Sequence, residues 1–328
     1  MPIDWQSFAE LARRQRRFLL TTHIRPDGDG LGSMLALAEV LQRRAESVQM
    51  VVASSIPARY DFLDPHKRID RFEPPADRWR SCDTVIVLDT GTWNQLGDFG
   101  PFMASLPAAK VVIDHHPTQD DLDALRCVDT SAEATGRLVY EAIHALNEPL
   151  SAPAAQALFV AVAMDTGWFR FSNTKPATYE LAAELTRAGA NPESAYQWLF
   201  EQNTLPRLRL TGLVLERLQT TCQGQVAYTE VLRDDYAATQ ALPSDTEDLV
   251  NYTRALAGVE VGLFFMEQPR GGVKISLRSR SRVDVGKIAE QLGGGGHRLA
   301  SGAILDTTLD EARRRVLDAV QAALESCS

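Results

Sequence analysis

The chain has 328 residues, 45% of them hydrophobic and 23% charged, and a formal net charge of −9. That length suits two separate cores better than one. The acidic balance excludes a protein that grips long duplex nucleic acid, which needs a basic face, but leaves open small phosphorylated ligands neutralised locally by metal ions or a few arginines. In chain order, residues 18–22 form a short apolar run that stops at His23, and residues 31–44 show helical periodicity. Residues 48–53, 84–88 and 110–113 are β-branched runs of the kind buried in a parallel sheet. Residues 130–147 read as an amphipathic helix capped by Ser131, with Glu133 and Arg137 on its polar face. Residues 154–164 are nearly all apolar and fit a helix buried against the sheet.

These elements predict an α/β fold with an N-terminal, doubly wound, mainly parallel sheet over residues 1–190. Residues 191–221 read as a helical linker. Strands at 225–231, 259–267, 273–278 and 302–305 and helices at 283–292 and 308–326 then predict a smaller α+β domain over residues 222–328. No run reaches the roughly 20 apolar residues of a membrane span, and residues 1–17 lack the apolar core of a signal peptide. Cys82, Cys127, Cys222 and Cys327 show no paired spacing, which points to a reduced, cytoplasmic protein without a membrane partner.

Four short segments carry chemistry. The first, His23-Ile-Arg-Pro-Asp27-Gly-Asp29-Gly-Leu-Gly32-Ser33, lies between a strand and a helix, where open α/β sheets gather ligands. Asp27 and Asp29 are two apart, so in an extended turn they can ligate different ions. The second is a strand ending in Asp89. The third is a strand ending in Asp114-His115-His116, whose adjacent rings are expected to point opposite ways, so that one can face a metal and the other substrate or a supporting carboxylate. In the fourth, Asp165 follows an apolar helix, with Trp168 and Phe169 beside it as base-stacking or core residues. Carboxylates and imidazoles without cysteine make a hard O/N site that suits Mn²⁺ better than zinc. Two ions about 3.5–4 Å apart are the usual arrangement for phosphoester cleavage.

The order HxxxDxD, strand-end Asp, DHH and later Asp resembles the DHH phosphoesterase superfamily. Gly293 to His297 resembles the GGGH signature of its associated C-terminal domain. By length and domain content the chain is similar to the nanoRNase branch, which cleaves short oligoribonucleotides and dephosphorylates pAp (3′-phosphoadenosine 5′-phosphate) to AMP. The resemblance implies two Mn²⁺ ions, with Mg²⁺ or Co²⁺ as substitutes. His23, Asp27 and Asp89 would hold one; Asp29, Asp89, His115 and Asp165 would hold the other. It implies that Asp114 orients its neighbours and that His116 meets the scissile phosphate. It further implies substrates of about two to five nucleotides and a homodimer, with phosphodiesterase activity on cyclic di-AMP or pApA as the alternative.

In the C-terminal domain, Gly294, Gly295 and Gly296 are expected to form a mobile loop whose amides face a phosphate, with His297 beside it. Lys274, Arg278, Arg280 and Arg282 share an even spacing that puts them on one face of an extended segment, a local anion site. Arg254 precedes a strand and is a further ligand candidate. The domain is expected to bind the far phosphate and to admit only short substrates.

Overall fold

The computed structural model describes residues 3–269 and 271–327. The chain divides after Gln202 into two compact units, a boundary that falls inside the segment expected to be a linker. The first unit contains α1 (Trp5–Arg14), β1 (Arg17–Thr22), α2 (Gly28–Leu41), β2 (Ser47–Val52), β3 (Ile69–Arg71) and β4 (Thr84–Leu88). It continues through α3 (Phe99–Ala104), β5 (Ala109–Asp114), β6 (Leu125–Val128), α4 (Thr135–Leu146), α5 (Ala152–Asp165), α6 (Pro176–Arg187) and α7 (Pro192–Phe200). Its six strands lie in the order β3-β2-β1-β4-β5-β6, all parallel. The order reverses direction between β1 and β4, so the sheet is doubly wound, as the alternation of elements predicts.

Strand residues alternate between two buried faces, which is why these runs are apolar throughout. Leu20, Ile86, Leu88, Val111 and Ile113 join the core built with α2, α4 and α5, while Leu19, Val85, Val87 and Val112 meet Trp79, Phe99 and Phe102 on the other side. Helices α2 and α5 are apolar around nearly their whole circumference because each is covered on several sides, and they pack along one another.

Helix α4 corrects the sequence expectation, since it begins at Thr135 and not at residue 130. Ser131 is not its cap. The carboxylate of Asp29 accepts hydrogen bonds from the Thr135 and Gly136 amides at 2.7 and 2.8 Å, so a side chain 106 residues upstream supplies the cap. Glu133 and Arg137 do pair, at 2.7 Å.

The second unit comprises α8 (Leu205–Glu216), β7 (Gln219–Thr221), β8 (Val226–Val231), α9 (Arg233–Thr239), α10 (Asn251–Arg254), β9 (Val261–Glu267) and β10 (Val273–Ser279). It ends with α11 (Val285–Gln291), β11 (Gly295–His297), β12 (Ala300–Leu305) and α12 (Leu309–Ser326). Its mixed sheet runs β11-β12-β10-β9-β8-β7, with only the β8–β9 pair parallel. One face packs on α11 and α12 around Leu263, Phe265 and Ile275, and the other meets Leu210 and Val214 of α8. Among the described residues no helix is long and apolar enough to cross a membrane.

Candidate metal centre

Parallel strands deliver their carboxyl ends to one edge of the sheet, and here β1, β4 and β5 end in His23, Asp89 and Asp114-His115-His116. Asp27 caps α2 by accepting the Asp29 and Gly30 amides, Asp29 sits in the first turn of that helix, and Asp165 closes α5. Donor atoms converge within 4.8 Å in three groups: His23, Asp27 and Asp89; Asp29, His115 and Asp165; and Asp89, His115 and His116. All six predicted metal ligands therefore come together in the first unit.

Asp89 is central to the arrangement. Its Oδ2 lies 3.5 Å from His23 Nε2, while its Oδ1 lies 3.7 Å from both His115 Nε2 and His116 Nδ1. The two oxygens of one carboxylate thus face different groups. Asp89 adopts φ +63°, a conformation uncommon for non-glycine residues and one that marks functional turns when the surroundings enforce it. Thr135 helps to enforce it by donating its hydroxyl to Asp89 Oδ1 at 2.9 Å.

The histidines are oriented through their other nitrogens. His23 Nδ1 lies 2.9 Å from the Ile24 carbonyl and His115 Nδ1 lies 3.2 Å from that of Ala132, so each Nδ1 is the donor and each Nε2 is left to face the carboxylates. His115 Nε2 is buried and has no hydrogen-bond partner. It faces Asp29, Asp89 and Asp165 at 3.8, 3.7 and 3.5 Å. These separations are too long for hydrogen bonds and suit donors that share one cation. An orphaned imidazole nitrogen among three carboxylates is the arrangement a hard divalent ion satisfies.

The electrostatics agree. Burial and repulsion from Asp89, Asp165 and Asp27 push the Asp29 carboxyl well above the usual range. Burial, helped by repulsion from Asp89 and Asp27, pushes Asp165 up to about 6 against the pull of His115 and His116. Burial alone would lower His23, but the carboxylates of Asp27 and Asp89 outweigh it and raise the imidazole to about 10. Positive charge is what this pocket lacks, and protons and cations compete to supply it.

Asp114 is fully buried and does not join the ligand groups. Its Oδ1 accepts from the His115 and His116 amides at 2.8 and 3.2 Å and lies 2.8 Å from His116 Nδ1, while Gln119 Nε2 donates to its Oδ2. The Asp114 hydrogen bond is the main reason that His116 is raised to about 9, against the effect of burial. Asp114 therefore aims His116 and holds it charged. Thr135 and Gln119 escaped the sequence reading. Nothing local marks Thr135 as a partner of a residue 46 positions away, and Gln119 lies beyond the motif it supports.

In the second unit Arg278 lies on β10, and Arg280 lies beyond its end with its guanidinium donating to the Arg254 and Leu256 carbonyls at 3.0 and 3.3 Å. The expected single face of four cations is thus corrected, because β10 stops at Ser279. The buried Glu260 carboxylate accepts the amides of Ser281, Arg282 and Val283 and turns the chain there, which places Arg280 and Arg282 off the strand. Burial, with Arg254 close by, lowers Arg278 from its ordinary value. The glycine run also differs from expectation. Gly295–His297 forms an edge strand paired with β12 in place of a free loop. A Cβ on Gly294 would lie 2.2 Å from the Gly302 carbonyl oxygen, so glycine there permits close backbone packing. His297 ends that strand and is exposed.

Residues 17–164 match the DHH family N-terminal domain, and residues 223–326 match the DHHA1 domain. A Thermus thermophilus protein named bifunctional oligoribonuclease and PAP phosphatase NrnA is 32% identical over 92% of this chain and 88% of its own. The chain belongs to the DHH family. This DHH-family chain also shares its fold with an exopolyphosphatase-related protein of Bacteroides fragilis, at TM-score 0.89 and 24% identity over 97% of this chain and 95% of that one. The exonuclease RecJ, solved with bound manganese, matches at TM-score 0.53 and 15% identity over 98% and 95% of the two chains. The family is one of phosphoester hydrolases, and the DHH residues that name it are here Asp114, His115 and His116.

Proposed function

We propose that this protein hydrolyses short oligoribonucleotides to mononucleotides and removes the 3′-phosphate of pAp, using a pair of divalent cations, manganese by preference, with Mg²⁺ or Co²⁺ as substitutes. The observation that carries the reading is the Asp89 carboxylate, whose two oxygens face His23 on one side and His115 on the other. His23 and Asp27 would hold one cation with Asp89, and Asp29, His115 and Asp165 would hold a second with it. The chemistry supplied by such a pair is activation of a water for in-line attack and neutralisation of charge on the phosphoryl oxygens.

The chain's own residues do the rest. Asp114 fixes the His116 ring and keeps it protonated, ready to meet the phosphate and to hand its proton to the leaving oxygen. Thr135 and Ser33 hold the carboxylates of Asp89 and Asp29 by hydrogen bonds of 2.9 and 3.2 Å. Within the second unit, Arg254, Arg278 and Arg280, with the Gly294, Gly295 and Gly296 backbone and His297, offer an anion contact for a substrate phosphate. The Thermus relative's name supports this substrate class, and four free cysteines suit a reducing cytoplasm. The exposed leucines 205, 208 and 215 along α8 favour a homodimer.

The test is a turnover panel with Mn²⁺ containing a diribonucleotide, pAp, a 20-residue RNA and cyclic di-AMP. Fast cleavage of the first two with slow cleavage of the others is the expected result. Preference for the long RNA or the cyclic dinucleotide would refute the substrate assignment.

A further inference from the structure

The exposed apolar side chains of the two units differ in kind. In the first unit the large hydrophobics exposed among the described residues are Phe171, Tyr179, Tyr196, Trp198 and Phe200, all aromatic and all downstream of Asp165. In the second they are mainly aliphatic, with Ile304, Leu242 and Leu205 the most exposed. Aliphatic side chains offer only area to bury, whereas aromatic rings, which also serve protein interfaces, add a π face that stacks on a planar ring.

The turn that begins this aromatic stretch is strained and closely tied to the metal centre. Directly after Asp165, Gly167, Trp168 and Phe169 take φ values of +56°, +59° and +63°. Two successive aromatic residues in the left-handed region are unfavourable unless the surroundings enforce them. They do so here: the Trp168 amide donates to the Ala163 carbonyl at 2.6 Å and the Phe169 amide to Thr166 Oγ1 at 3.1 Å. Asn173 Nδ2 donates to the carbonyls of Glu133 and Asp165 at 3.0 and 3.2 Å, fastening the turn to the centre.

The consequence is the placement of Phe171. A Cβ on Gly167 would lie 2.3 Å from Phe171 Cζ, so the end of that ring rests on the glycine while 55% of the residue stays exposed. Arg170 is held beside it, its Nε donating to the Gly167 carbonyl at 2.7 Å and its guanidinium carbon lying 6.0 Å from the Phe171 ring centroid. Behind them Trp168 packs on Tyr196 and Phe200 at centroid distances of 5.2 and 5.4 Å, and Phe169 stacks on Tyr179 at 5.6 Å.

We propose that this turn is a nucleobase subsite in which the exposed Phe171 ring stacks on a substrate base while Arg170 meets its sugar-phosphate. The inference rests on the nucleotide substrate proposed above. Every base has a π face, so stacking here tolerates any sequence.

The experiment compares wild type with Phe171→Leu and Phe171→Tyr on the dinucleotide ApA and on its abasic counterpart. Phe171→Leu is expected to raise KM for ApA about tenfold, the scale of one lost base stack, with kcat within about twofold and the abasic compound unaffected. Phe171→Tyr is expected to restore the wild-type value. Equal effects on both compounds, or none, would overturn the inference. A second readout is independent of turnover: quenching of tryptophan emission by AMP against ribose 5-phosphate. Stronger binding of AMP that is lost in Phe171→Leu supports the subsite even if ApA is not cleaved, an outcome that would count against the proposed activity alone. Equal binding of the two ligands by wild type defeats it. So does a Phe171→Leu variant that changes from dimer to monomer in sedimentation, since the face would then be a self-association surface.

Discussion

Asp114 shows how one buried carboxylate sets up a functional side chain without touching the reacting atoms. It receives two amides, a glutamine and the His116 ring, and burial makes each of those bonds costly to lose. Because the folded-state value of His116 lies near 9, above the ordinary 6.5, the pairing contributes its full stability below about 6.5 and loses it as pH rises through about 9. Asp114→Asn keeps the shape and removes the charge. Ring titration by NMR in the metal-free protein should show His116 falling from about 9 toward 6.5, and kcat at pH 7.5 should drop about 10²-fold. An unchanged titration would mean that Asp114 does not hold the proton on His116. The motif residues themselves were legible in the sequence because strand-end Asp and His are chemically conspicuous. Thr135 was not, since its role arises only when the fold brings the start of α4 to Asp89 beyond the end of β4.

Among the elements, the strands and buried helices were legible because their apolar runs are continuous, while boundaries set by distant partners were not. The start of α4 depends on Asp29, so local pattern placed it wrongly. Although the end of β10 was placed within one residue, the turn that Glu260 imposes on Arg280 and Arg282 beyond it was not foreseen. The α2–α5 contact has its own signature in the glycines of the first motif. A Cβ on Gly32 would lie 2.3 Å from the Ala157 carbonyl oxygen and 3.1 Å from Ala161 Cβ. Backbone cannot yield as a flexible side chain can, so the helices would have to separate. Gly32→Ala should lower stability by about 2–4 kcal/mol in urea unfolding, despite alanine's better helix propensity. A neutral or stabilising outcome would show that the two helices have slack at this crossing. The same displacement would carry Asp27 and Asp29 on α2 away from Asp165 on α5, so weaker cation affinity should accompany the lost stability.

For the whole molecule, the proposed division of labour between two units would reconcile a net charge of −9 with the phosphorylated substrate proposed above. The first unit gathers acidic and imidazole donors that call for cations, and the second offers Arg254, Arg278 and Arg280 in a compact basic group. The overall two-part architecture was visible from the change of pattern near residue 220, but the helical stretch expected to link the parts is shared between them, α7 packing with the first and α8 with the second. Such packing is invisible to a local reading because both helices carry polar and apolar residues in similar measure. The proposed function depends on phosphoester hydrolysis at a cation centre joined by Asp89. Its most direct test is diribonucleotide turnover by metal-free protein titrated with Mn²⁺, with bound metal counted in parallel for wild type and Asp89→Ala. Activity should rise with two equivalents of cation in wild type, and folded Asp89→Ala protein should bind fewer ions and turn over no substrate. Hydrolysis without cation, or full activity in Asp89→Ala, would contradict it.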